Sequence, residues 1–105
     1  MLSFEEKCAI FDSYPELKKK KSSNGRINYE YQGSRVRGKN VGIQLTANGK
    51  GYVVGKYLDQ KTALKYDLNE TDDINITKFS EERLRILIGE VIDSMSNRKI
   101  FGWDR

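Results

Sequence analysis

Leu84, Leu87, Ile88, Val91, Ile92 and Met95 recur at i, i+3, i+4, i+7, i+8 and i+11, which puts six apolar side chains on one face of a helix. A stripe this wide must cover an apolar surface, so the rest of the chain has to provide one. The helix carries its own start signals. Ser80 is a good N-cap, Glu81 and Glu82 sit where the helix dipole favours acids, and Phe79 is placed to pack on Leu84 as a hydrophobic staple. Asn97 is expected to cap the far end. The apolar tail Ile100-Phe101-Gly102-Trp103 is expected to fold back on the core, or else to mark a partner contact.

The surface comes from the middle of the chain, where the apolar period changes to two. Ile27, Tyr29 and Tyr31 alternate with polar residues, as a half-buried strand requires. Val41, Ile43 and Leu45 alternate with Gly42, Gln44 and Thr46 and predict a second strand. Asn48-Gly49 then predicts a type I′ hairpin turn, since both residues accept positive φ. A third strand is expected from about Tyr52 to Leu58, turning either Val53, Gly55 and Tyr57 or Tyr52, Val54 and Leu58 inward. Leu64–Leu68 would add a fourth, edge strand after a turn near Asp59-Gln60.

At the front, Ser3 and Glu6 form a capping box, and Phe4, Cys8 and Phe11 follow at helical spacing. Cys8 falls on that apolar stripe and reads as a buried, inert thiol. Pro15 breaks or restarts the helix; Ser13 and Glu16 offer a second capping box leading into Leu17 and four lysines. Ser22-Ser23-Asn24-Gly25 reads as a turn. The expectation is a single α+β domain over residues 1–105 in two layers. It has an N-terminal helix, a three- to four-stranded antiparallel sheet and a C-terminal helix packed on that sheet.

This order of elements occurs in double-stranded-RNA-binding domains, but the lysine-bearing start of their second helix has no counterpart in Ser80-Glu81-Glu82-Arg83. Strands followed by one long helix also resemble the single-stranded-DNA-binding transcriptional coactivators, with no motif matching residue by residue. No family is assigned on these grounds.

Composition narrows the chemistry. No apolar run approaches the ~18 residues of a membrane span, and mean hydropathy is −0.71. Acids stand at the N-terminus where a signal peptide needs basic residues, so a cytoplasmic location is expected. A lone Cys8 forms no intramolecular disulfide, and the absence of histidine removes Ser-His and Cys-His catalysis and the usual zinc sites. Gly33-Ser34-Arg35-Val36-Arg37-Gly38-Lys39-Asn40 misses a phosphate-cradling P-loop by its last residue, because Asn is a poor substitute for the Mg²⁺-binding hydroxyl. Asp67, Asn69, Asp72 and Asp73 hint at a cation loop, yet Asp72 and Lys78 stand where an EF-hand spacing needs Gly and Glu. That stretch reads as an exposed acidic turn. The expectation is a protein with no catalytic residues, metal or cofactor.

What remains is charge, and it is sorted. From Lys18 to Lys56 there are ten Lys/Arg against one acid, Glu30, a local balance of +9 in a chain of net charge +4. Such a face attracts a phosphate backbone or an acidic protein surface. The candidate nucleic-acid-binding residues are Lys18, Lys19, Lys20, Lys21, Arg26, Arg35, Arg37, Lys39, Lys50 and Lys56, with Tyr52 and Tyr57 as stacking groups. Arg35, Arg37 and Lys39 alternate along what reads as a flexible hairpin loop, so an extended backbone would point all three the same way. Tyr29 and Tyr31 interleave with the cations but share a face with Ile27, which favours the core.

The leading expectation is a small non-enzymatic nucleic-acid-binding domain that uses a basic hairpin face. The alternative is a regulatory or protein-interaction module of phage or plasmid type, docking an acidic protein or forming a homodimer through a sheet edge.

Overall fold

The computed structural model describes residues 1–96; the expectations for Asn97 and for Ile100–Trp103 lie outside the described residues. The elements run α1 (Phe4–Asp12), β1 (Leu17–Lys21), β2 (Ile27–Tyr31), β3 (Asn40–Leu45), β4 (Tyr52–Val54), α2 (Gln60–Ala63), β5 (Asp73–Asn75) and α3 (Glu81–Ser96). The five strands form one antiparallel sheet in sequence order, each paired with its neighbour. The α+β class, the N-terminal helix and the C-terminal helix on a sheet agree with the sequence reading. Among the described residues the strands number five, not three or four.

Both long helices begin as their caps dictate. Ser3 Oγ accepts the Glu6 amide at 3.0 Å and Glu6 Oε1 accepts the Ser3 amide at 2.8 Å, completing the capping box. Ser80 Oγ accepts the Arg83 amide at the start of α3. The whole predicted stripe of α3, from Leu84 to Met95, is buried. It meets Ile10 and Phe11 of α1 and the inward residues Ile27, Tyr29, Val41, Leu45, Val53 and Ile74 of the sheet in one core. Phe11 stacks on Tyr29 with ring centroids 4.8 Å apart.

Five local expectations are corrected. Leu17–Lys21 is an edge strand rather than a helix restart. Ser13 caps the end of α1, with its hydroxyl on the Ile10 carbonyl, and Asn24-Gly25 closes a hairpin that pairs the lysines with β2. Lysine has weak strand propensity, but pairing with Ile27–Tyr31 outweighs it.

The β2–β3 register shifts twice, so Val41 and Gly42 are both buried while Ile43 turns to the far face opposite Tyr52. At the shift Gln44 takes a φ of 56°, and Asn28 Oδ1 accepts its amide at 2.8 Å. The simple alternation read for this strand is broken by these bulges.

The hairpin at Asn48-Gly49 is not type I′. Gly49 has a φ of 90° while Asn48 stays out of the left-handed region. Thr46 and Lys50 flank a three-residue loop, with the Thr46 amide on the Lys50 carbonyl at 3.0 Å.

The third expected strand ends at Val54, and its inward residue is Val53. Leu64–Leu68 is no strand: it continues from α2 in turns and pairs with the sheet by an isolated bridge from Leu68 to Ile74. The strand at that edge is β5.

Candidate nucleic-acid interface

An antiparallel meander sends alternate connections to opposite ends of the sheet. One end therefore carries the start of β1 with Lys18, the β2–β3 loop with Arg35, Arg37 and Lys39, and Lys56 just after β4. The other end carries Arg26 beside the β1–β2 turn, Lys50 in the β3–β4 hairpin, and Lys78 after β5. The ten cations between Lys18 and Lys56 are thus divided between two ends of one sheet, with the β1 lysines running along the edge between them.

All ten are exposed. Of these ten, only Lys19 forms an ion pair among the described residues, with Asp12 at 3.7 Å, and its ammonium also lies 6.0 Å from the centre of the Tyr29 ring. The β1 side chains divide by strand alternation. Lys19 turns toward the helices with its partner Tyr29, whereas Lys18 and Lys20 stand opposite Glu30 and Asn28 on the far face.

The basic loop is anchored rather than free. The Arg35 amide donates to the Met95 carbonyl at 2.8 Å, tying the loop to the last turn of α3. Ser34 Oγ donates to the Gly38 carbonyl at 2.6 Å and closes the loop on itself. Tyr57 Oη accepts the Gly38 amide at 3.0 Å. The backbone bends at Val36-Arg37, yet the alternation survives: Ser34, Val36 and Gly38 are half-buried, while Arg35, Arg37 and Lys39 are exposed.

The tyrosines take different roles. Tyr29 is 1% exposed and donates its hydroxyl to Asp12 at 2.8 Å, and Tyr31 meets the Ser96 hydroxyl at 2.7 Å; both belong to the core layer. Tyr57 is engaged with the basic loop, and the Lys56 ammonium lies 5.8 Å from its ring centre. Tyr52 lies on the sheet face turned away from the helices, half-buried between Ile43 and Asn75 on the neighbouring strands.

Cys8 is buried, and burial pushes its thiol pKa up, which makes it a poor nucleophile. The acidic turn satisfies itself: Asn69 Oδ1 accepts the Thr71 and Asp73 amides, and Thr71 Oγ1 donates to Asp73 at 2.8 Å. No cluster of three metal-ligating side chains occurs among the described residues, and no helix among them is long and apolar enough to cross a membrane.

Sequence reasoning missed Lys78 and Asn75. They join Lys50, Tyr52, Thr77 and Phe79 around an open groove of about 350 Å³. Lys78 stands outside the basic middle of the sequence and reaches this group only through the β4–β5 pairing, so no local signal marks it.

Compared with known proteins, the chain matches no protein family, no curated protein and no solved structure.

Proposed function

We propose that this chain is a small non-enzymatic domain that binds nucleic acid through the exposed cations of its sheet ends and of strand β1. The observation that carries the reading is that nine of the ten Lys/Arg between Lys18 and Lys56 are exposed with no carboxylate in ion-pair range among the described residues. Unpaired surface cations at this density repel one another, and a phosphate backbone relieves that repulsion by releasing its own counterions. Arg35, Arg37 and Lys39 bind phosphates from a loop already anchored at both flanks, so little ordering entropy is lost on binding. Lys18 and Lys20 extend the phosphate track along the sheet.

Fluorescence anisotropy against labelled single-stranded DNA, duplex DNA and RNA at two salt concentrations tests this. The expected result is micromolar or tighter binding that weakens steeply with salt, with a log–log slope of about −5 on duplex if six groups engage. The triple variant Arg35→Ala, Arg37→Ala, Lys39→Ala should abolish most of it. Absence of binding to every polymer at low salt overturns the reading.

A second reading rests on β1. Among the described residues this strand is paired on one side only, and it carries four lysines, so it suits backbone pairing with an acidic extended segment of another protein and disfavours pairing with its own copy. An acidic protein that co-purifies after nuclease treatment would favour this reading.

A further inference from the structure

We propose that the groove between the β3–β4 hairpin and the segment joining β5 to α3 holds one nucleotide of a single-stranded nucleic acid. The base lies against the Tyr52 ring, and the phosphate lies between Lys50 and Lys78. This inference rests on the nucleic-acid reading above and specifies its substrate.

Tyr52 carries the argument. The chain has six tyrosines, and the other five commit their hydroxyls to internal partners: Tyr14 to the Arg85 carbonyl, Tyr29 to Asp12, Tyr31 to Ser96, Tyr57 to the Gly38 amide and Tyr66 to Glu90. Tyr52 alone makes no such bond among the described residues. It is also the tyrosine on the sheet face turned away from both long helices.

Around it the groove supplies complementary chemistry. Lys50 and Lys78 are exposed and form no ion pair among the described residues. Asn75 Oδ1 accepts the Thr77 amide at 2.9 Å, which leaves its NH₂ free to donate to a base edge or a phosphate oxygen. A volume of about 350 Å³ suits one nucleotide. A ring, two ammonium groups and an amide donor form a stacking platform with phosphate clamps. Only an unpaired base exposes a ring face for such stacking, so the polymer is single-stranded.

The test compares one labelled oligonucleotide of about 12 residues, single-stranded and as a duplex, by anisotropy at low salt. The wild type should prefer the single strand by about tenfold or more. Tyr52→Leu keeps apolar volume on the sheet and removes the ring, so it should remove that preference, whereas Tyr52→Phe should retain it. The double variant Lys50→Ala, Lys78→Ala changes two exposed side chains and should weaken single-strand binding by about tenfold. Thermal melts confirm that each variant is folded. Equal affinity for both forms, or single-strand binding unchanged in Tyr52→Leu and in the lysine pair while the Arg35/Arg37/Lys39 triple variant loses it, overturns the groove and leaves the broader reading standing. No binding to either form overturns both.

Discussion

The hydroxyl of Tyr57 accepts the amide proton of Gly38 at 3.0 Å, joining the turn after β4 to the loop that presents Arg35, Arg37 and Lys39. A Cβ on Gly38 would itself come within 3.0 Å of that oxygen, so the two residues are closely fitted. Tyr57→Phe removes the acceptor and should cost about 1 kcal/mol. Amide exchange at Gly38 should accelerate while exchange in α3 stays slow, as measured by NMR.

Gly42 and Gly89 should respond oppositely to alanine. A Cβ at Gly42 would meet Phe11 Cε1 at 2.7 Å, and Phe11 is held by its stack on Tyr29. Gly42→Ala should therefore destabilise the fold by about 1–3 kcal/mol. Among the described residues, nothing beyond α3's own backbone comes within 4 Å of such an atom at Gly89, inside that helix, and Gly89→Ala should stabilise by about 0.5–1 kcal/mol through helix propensity. Urea unfolding midpoints of the two variants check both signs.

Lys7 is fully buried and donates to the Leu2 carbonyl at 2.8 Å and the Thr77 carbonyl at 3.2 Å, clamping the N-terminus to the segment before α3. Lys7→Met leaves both acceptors without this donor and should cost about 1–2 kcal/mol at neutral pH. Burial lowers the Lys7 pKa below its ordinary 10.5. Between those two values the unfolded chain binds the extra proton, so the Lys7 contribution to stability rises with pH. Unfolding curves taken as pH rises toward 10.5 should show the wild type gaining on Lys7→Met.

Strong alkali should reverse the trend. Burial, then donation to Glu90, pushes Tyr66 up to about 12 from its ordinary 10.0. Burial and the bond to Asp12 raise Tyr29 as well. Both folded-state values lie above the unfolded value, so their stabilisation is complete below about pH 10 and is lost as pH rises further. Tyr66→Phe should blunt this loss, as followed by circular dichroism through an alkaline titration.

Much of the fold was legible because it depends on near neighbours. Ser3 with Glu6, Ser80 with Arg83, and the stripe from Leu84 to Met95 act within a turn or two of helix, and the burial of Ile27 and Tyr29 follows from strand alternation. The charge of the middle segment was legible from the positions of Lys and Arg along the chain. What the tertiary structure decided depends on partners distant in sequence. Pairing with β2 makes a strand of Leu17–Lys21, and the bulge held by Asn28 and Gln44 sends Gly42 inward and Ile43 outward. Pairing of β4 with β5 brings Asn75, Thr77 and Lys78 to Lys50 and Tyr52. Capping and periodicity are local energies written along the chain, whereas register and the meeting of remote side chains are settled only when the whole core closes.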